Sequence, residues 1–282
     1  MVLKMCIGNK SNLLNIEKNI NIEISKKKRK FFLNKEQNKS LKNLQSYGNT
    51  FNVSVLQGVT GSGKTLVYFE RIKDILNKKK QVLIMLPEIF LTKQFQQRFM
   101  DFFGFIPAVW HSKITIKNKR KIWQGILNNK IKLVIGARSS LFLPFKKLGL
   151  IIVDEEHDQS YKQGEGLIYN ARDMAISRAS FENVPIHLVS SIPSLETFNN
   201  IKDRKYNLTK ILKRYSDFPL PDTEVVNLNY SSLKKDQFIA FETLELVKKY
   251  LNKGEQVLFF LNRRGYAPFL ICKKCGFKHI CP

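Results

Sequence analysis

Gly58-Val59-Thr60-Gly61-Ser62-Gly63-Lys64-Thr65 is the stretch that decides how this chain folds. The octet has the phosphate-loop spacing G-x-x-x-x-G-K-[ST]. The run Asn52–Leu56 before it reads as a strand, and Lys64–Leu76 after it reads as a helix. That context matters, because glycines at such a turn let backbone N–H groups curl around phosphate oxygens. The following helix N-terminus adds partial positive charge. Gly58, Thr60, Gly61, Ser62 and Gly63 are therefore candidate ATP-binding positions. Lys64 would reach the β- and γ-phosphates, and the Thr65 hydroxyl would hold Mg²⁺.

Outward from the loop, short β-branched runs alternate with longer amphipathic stretches. Strands are expected at Gln81–Leu86, Ala108–His111, Lys132–Ile135, Leu148–Val153 and Pro185–Val189. Helices are expected near Leu91–Phe103 and at Ile116–Leu127 and Ala171–Phe181. Strand–helix alternation predicts an α/β fold, a doubly wound parallel sheet covered on both faces. The continuous apolar run Leu150-Ile151-Ile152-Val153 fits a strand buried on both sides, and it delivers Asp154-Glu155-Glu156-His157 to the carboxyl edge of the sheet. Open α/β sheets bind ligands at that edge. Asp154 is a candidate magnesium-shell residue and Glu155 the residue that polarises the attacking water, so Lys64, Asp154 and Glu155 form the candidate catalytic set. His157 either couples the nucleotide site to a DNA site or is an ordinary surface histidine.

Composition bounds the rest. The 282 residues, 43% hydrophobic and 25% charged, are globular in type. No apolar run approaches the ~20 residues of a membrane span, and the first 30 residues lack the apolar core of a secretory signal. Four cysteines, Cys6, Cys272, Cys275 and Cys281, are too few and too unevenly placed for a disulfide framework, and a reducing cytoplasm fits them. Net charge is +25, with 18 basic against 4 acidic residues over positions 51–150 and an acidic island of 8 against 3 over 151–200. A polyanion such as nucleic acid is the implied partner, and the acidic island points to a metal-dependent site. Compositional drift toward Lys, Asn and Ile is the plainer explanation of the charge.

The chain resembles superfamily 2 helicases, and among them the bacterial primosomal replication-restart helicases. The phosphate loop and Asp154–His157 carry that resemblance, together with Pro87–Thr92, His111-Ser112, Ile135–Phe142, Asp154–Gln163, Tyr169–Asp173 and Phe259–Gly265. It implies a RecA-like helicase lobe, ATP-dependent 3′-to-5′ DNA unwinding, ATP and Mg²⁺ as cofactors, forked or single-stranded DNA as partner, and assembly with replication-restart and primosome proteins. Leu33-Asn34-Lys35-Glu36-Gln37 resembles the family's adenine-reading segment, which makes Gln37 a candidate for pairing with adenine, although a plain helix start reads the same way. Thr92 and Arg138 fall in strand-tracking motifs. Tyr161 and Arg172 fall in an aromatic-rich loop that would meet unpaired DNA, or the loop's tyrosines simply pack it.

The resemblance divides the chain into a basic arm (1–32), an ATP-binding lobe (33–216), a connection (217–237), the start of a second lobe (238–270) and a Cys-rich segment (271–282). In that segment Cys272, Cys275 and Cys281 resemble the beginning of a zinc module, with too few ligands for a full Zn²⁺ site. Helix Phe238–Leu251 and strand Gln256–Leu261 are expected in the second lobe. By comparison with the family, the N-terminal DNA-binding domains and most of the second lobe, with its arginine finger, are missing. The family's Gly-Ser-Ala-Thr-Pro stands here as Val189-Ser190-Ser191-Ile192-Pro193, so Ile192 lacks the threonine hydroxyl. These departures leave open a non-enzymatic remnant that binds nucleotide and DNA with little turnover.

Overall fold

The computed structural model describes residues 31–164, 166–215, 222–227, 239–260, 270–271 and 278–279. The backbone groups into two units, Met1–Phe218 and Pro219–Pro282. In the first, the described elements run α1 (Lys35–Ser46), β1 (Val53–Gly58), α2 (Lys64–Asn77), β2 (Gln81–Met85), α3 (Lys93–Phe103), β3 (Ala108–Trp110) and α4 (Ile116–Leu127). They continue with β4 (Leu133–Gly136), β5 (Leu148–Asp154), a short β6–β7 hairpin (Lys162–Gln163, Tyr169–Asn170), α5 (Ala171–Phe181), β8 (Ile186–Ser190), α6 (Leu195–Lys202) and β9 (Asn207–Ile211). Strands β3-β4-β2-β5-β8-β1-β9 form one seven-stranded sheet, and every pairing in it is parallel. The RecA-like doubly wound sheet expected from the sequence is the observed fold.

Alternation along each strand builds two cores, because successive side chains leave a strand on opposite faces. From β2 and β5, Leu83, Met85, Ile151 and Val153 join Trp110, Ile126 of α4 and Ala171, Ala175 and Ala179 of α5. Their neighbours Val82, Ile84, Leu150 and Ile152 face the other way, onto Leu44 of α1, Val67 and Ile72 of α2 and Phe99 of α3. Phe69 sits at the centre of that second core, with ring centroids of Phe99, Phe102 and Phe103 within 5.4 Å.

Local signals place the helix ends. Thr92, Thr115, Asn170 and Ser194 each accept a backbone N–H in the first turn of α3, α4, α5 and α6. The Thr92 cap is why α3 begins at Lys93, two residues later than the apolar periodicity suggested. Several elements escaped the sequence reading. The strands of the β6–β7 hairpin are two residues each, α6 is short, and β9 is an edge strand with only Thr209 and Ile211 buried, while α1 is largely polar and showed only as a possible helix start.

In the second unit, α7 (Phe241–Asn252) matches the expected helix, and β10 (Leu270–Ile271) pairs antiparallel with β11 (Lys278–His279). The strand expected at Gln256–Leu261 is not formed over residues 256–260, where Leu258 and Phe260 are 90% and 82% exposed. A strand needs a paired neighbour, and none among the described residues ladders with this segment. Among the described residues no helix is long and apolar enough to cross a membrane.

One buried residue works against the sheet. His187, mid-strand in β8, is fully buried, and neither ring nitrogen makes a hydrogen bond of normal geometry among the described residues. Burial, with the nearby Arg71 cation second, lowers its pKa to about 3. The unfolded chain therefore takes up a proton below about pH 6.5 that the folded chain refuses, and stability falls on acidification. His187→Leu should stabilise the protein by about 1 kcal/mol at neutral pH, since an unsatisfied buried donor or acceptor costs about that much. The gain should be about 1.4 kcal/mol larger at pH 5.5 than at pH 8. Urea melts of both proteins at the two pH values check it, and a gain independent of pH contradicts the assignment.

Candidate nucleotide site at the carboxyl edge of the sheet

β1 ends at Gly58 and α2 starts at Lys64, so the intervening turn hangs over the carboxyl edge. Gly61 and Gly63 adopt φ of 80° and 77°, a left-handed backbone that favours glycine. Gly63 has a second constraint, because a Cβ there would strike the Gln37 amide nitrogen. The turn is braced by Ser62 N–H donating to the Val59 carbonyl and by Tyr215 N–H donating to the Gly61 carbonyl. The Lys64 ammonium folds back to donate to the Gly58 carbonyl at 2.7 Å. Burial lowers its pKa, while Glu155 and Asp154 pull the other way, which puts all three charged groups in one electrostatic neighbourhood.

Asp154 closes β5. It is buried, with Oδ2 accepting from the Tyr68 phenol at 2.8 Å and Oδ1 accepting from the Glu155 backbone N–H at 3.0 Å. Burial, then the neighbouring Glu155 charge, raises its pKa to about 6. Glu155 itself takes φ of 49°, unusual for a residue with a side chain and consistent with strain held at a working position. The Ser62 hydroxyl is buried with no hydrogen-bond partner among the described residues. An orphaned hydroxyl, open glycine turns, a helix N-terminus and a buried carboxylate that lacks a full-strength cation partner are the donor set a nucleotide phosphate and Mg²⁺ require.

The remaining sequence candidates divide. His157 Nδ1 lies 2.8 Å from Ser190 Oγ and 3.7 Å from Glu155 Oε2, so it bridges the end of β5 to the end of β8. Thr92 is exposed but its hydroxyl accepts the Phe95 N–H as the α3 cap. Arg138 lines a small cleft with Pro87, Glu88 and Ser160, and donates to the Lys162 carbonyl at 2.6 Å.

Three expectations need correction. Tyr161 is 1% exposed, and its phenol reaches the backbone carbonyls of Asp154 and Met85 at 2.7 and 3.0 Å, pinning β5 to β2 rather than offering a face to a base. Arg172 is 5% exposed, and its guanidinium is held by Asp173, Glu156 and Ser194, so no phosphate reaches it in this arrangement. The Gln37 amide is buried inside a capping box with Asn34 and donates to the Ser62 carbonyl at 2.9 Å. In this arrangement it braces the phosphate loop instead of facing a base.

Two residues were missed. Tyr68 sits four positions after Lys64, one helical turn on, a spacing that was readable from the sequence. Glu156 is buried and accepts from Arg172 Nη1, Ser194 N–H and the Thr197 hydroxyl at 2.8–3.1 Å, tying the end of β5 to the start of α6. No periodic signal marks it. Cys272, Cys275 and Cys281 lie outside the described residues. Among those described, no cluster of three His, Cys, Asp or Glu side chains is placed to hold a metal.

The fold and these motifs are those of a helicase lobe. Residues 34–199 match the family model described as DEAD/DEAH box helicase, and the chain belongs to that family. It is 51% identical over 228 residues to the replication restart protein PriA of Rickettsia conorii, a match spanning 81% of this chain and 35% of that protein. PriA of Haemophilus influenzae is 42% identical over 250 residues, 89% of this chain and 34% of the relative. The chain thus spans about a third of the length of the curated relatives it matches. A solved structure of RecG bound to a three-way DNA junction aligns with a TM-score of 0.53 at 23% identity, over 80% of this chain and 29% of that one, a likeness of fold.

The raised pKa of Asp154 has a stability consequence with a definite sign. Folding makes this carboxyl hold a proton that the unfolded chain releases near its ordinary pKa of 3.8, so stability falls as pH rises through about 4 to 6, and the full penalty is present above that window. Asp154→Asn keeps an acceptor for Tyr68 and removes the buried charge. It should stabilise the metal-free protein by on the order of 2 kcal/mol at pH 7.5. The advantage should shrink as pH falls toward 4. Thermal melts in chelator across that range test it, and a destabilised variant at pH 7.5 counts against the assignment.

Proposed function

We propose that the chain is the ATP-binding lobe of a DNA helicase that acts in replication restart. The observation that carries the reading is the meeting of Lys64, Asp154 and Glu155 at one sheet edge, beneath a glycine turn with an orphaned hydroxyl. Lys64 and the loop N–H groups bind phosphate, and Thr65 and Asp154 hold Mg²⁺. Tyr68 keeps the Asp154 carboxylate aimed, and Glu155 orients the attacking water and accepts its proton. ATP·Mg²⁺ supplies the phosphoryl transfer whose free energy drives movement. Thr92 and Arg138 would contact the DNA backbone, and His157, through Ser190, would carry the state of the nucleotide site toward β8. The 3′-to-5′ direction, work on forks in the cytoplasm and assembly with primosome proteins rest on the motif resemblance to the replication-restart helicases. Zinc binding by Cys272, Cys275 and Cys281 rests on their spacing.

A second reading, nucleotide and DNA binding with little turnover, is favoured by Ile192. Its side chain is 75% exposed where the family resemblance expects a threonine hydroxyl. The His157–Ser190 contact does not depend on that hydroxyl, so the first reading is preferred.

Lys64→Ala should weaken binding of a fluorescent ATP analogue at least tenfold. Glu155→Gln should keep the binding and lose any turnover stimulated by forked DNA. Unchanged analogue binding in Lys64→Ala overturns the proposal. Tight Lys64-dependent binding without turnover in the unaltered chain selects the second reading.

A further inference from the structure

β4, β2 and β5 are neighbours in the sheet, and each is immediately preceded by a lysine: Lys132 before Leu133, Lys80 before Gln81 and Lys147 before Leu148. Paired strands stand about 4.8 Å apart, so the three strand starts span about 10 Å. The ladder sets Lys80 level with Lys147, and Lys132 level with Gln81, one residue further along. Gln81 N–H donates to the Lys147 carbonyl at 2.7 Å, and Val82 N–H donates to the Lys132 carbonyl at 2.8 Å. The same three turns add Lys78, Lys79, Lys130 and Lys146, and the segments 75–80, 128–132 and 143–149 contain no Asp or Glu.

This edge is built rather than loose. Gln81 is fully buried, and its amide joins all three turns. The nitrogen donates to the Ile126 and Ile131 carbonyls at 3.0 and 2.8 Å, and the oxygen accepts from Lys147 N–H at 2.8 Å. Lys132 Nζ reaches the Lys79 carbonyl at 3.3 Å. The Lys80 stem lies against Gly149, where a Cβ would come within 2.6 Å of it. Crowding shows in Lys132, whose pKa is lowered by burial and then by the Lys147 and Lys79 ammonium groups. The carboxyl ends of α2 and α4, at Asn77 and Leu127, bring partial negative charge to this edge. That charge suits one or two cations per helix and does not account for Lys78, Lys79, Lys80, Lys132, Lys146 and Lys147 together.

We propose that this lysine platform binds the phosphate backbone of double-stranded nucleic acid. The proposal rests on the reading of the chain as a DNA helicase lobe and adds a second contact surface to it. β2 is five residues long, about 17 Å at ~3.3 Å per residue, so the platform stands well apart from the phosphate-loop edge. The three turns present no exposed aromatic side chain; Phe145 is buried. Single strands are usually held by stacking on aromatic rings, whereas a duplex backbone needs only fixed cations.

The test uses the full chain and fluorescence anisotropy over a salt series, with a blunt 20-base-pair duplex and with oligo(dT). The triple variant Lys79→Gln, Lys132→Gln, Lys147→Gln should bind duplex at least tenfold more weakly. Its slope of log affinity against log salt should be smaller by about 2 to 3, near 0.9 per lost phosphate contact. Its oligo(dT) and ATP-analogue affinities should match the parent. An unchanged duplex slope overturns the proposal and leaves the helicase reading standing. Failure of the parent to bind either DNA overturns both, while loss of analogue binding in Lys64→Ala bears on the nucleotide site alone. Should the triple variant misfold, acetylation of the unaltered chain decides: duplex should shield Lys79 and Lys147 from reagent, and equal labelling with and without duplex overturns the proposal.

Discussion

A carboxylate at the end of a strand buried on both faces is the constraint around which the nucleotide edge is arranged. β5 runs through the middle of the sheet, so Asp154 emerges where little water reaches it, and an unpartnered charge there is expensive. Three groups near it offset part of that expense, while the Glu155 carboxylate adds to it. Tyr68 donates its phenol from α2, the Glu155 N–H turns inward at a left-handed backbone, and Lys64 is close enough to oppose the rise in pKa. None of them neutralises the acid fully. A site whose carboxylate is held in place yet left short of positive charge is preorganised for a divalent cation, and the stability lost in holding it there is the counterpart of that readiness.

The second acid of the motif solves the same problem by the opposite route. Glu156 is just as buried, but its oxygens are saturated by Arg172, the Ser194 backbone and hydroxyl, and Thr197. It is structural, and it joins the β5 end to the N-terminus of α6. With His157 beside Ser190 at the end of β8, two residues of the four-residue acidic motif meet the stretch from Ser190 to Thr197, and Asp154 and Glu155 stand at the carboxyl edge of the sheet. Glu156 and His157 thus tie the end of β5 to Ser190, Ser194 and Thr197 through hydrogen bonds.

Much of this was legible in the sequence, for physical reasons that differ by element. The strands of the central sheet were readable because burial on both faces forces unbroken apolar runs such as Leu150–Val153. The phosphate loop was readable because its backbone geometry admits glycine at few alternatives. β9 and α6 were not, since an edge strand needs only alternate burial and a two-turn helix leaves little period to detect. Tyr161, Arg172 and Gln37 were assigned to DNA and adenine through the motifs they resemble, beside a packing role for the tyrosine and a helix start for Gln37. A motif does not reveal burial, and the structure spends their polar groups on the protein itself.

The polarity of a parallel sheet explains where the charges lie. Helices that return antiparallel to the strands put their N-termini at the carboxyl edge and their C-termini at the amino edge, so each edge carries a partial charge of fixed sign. The acidic residues of 151–200 that matter, Asp154, Glu155 and Glu156, stand at the edge where helix N-termini favour anions. The lysines before β2, β4 and β5 stand at the edge where helix C-termini favour cations. The first arrangement is self-compensating, and the acids end in bonded partners or a waiting cation position. The second exceeds compensation, since six lysines besides Lys130 stand near two helix ends with no carboxylate in their turns. Excess of one sign on a rigid edge is an unfilled electrostatic requirement, and a regularly spaced polyanion satisfies it with the least loss of side-chain freedom.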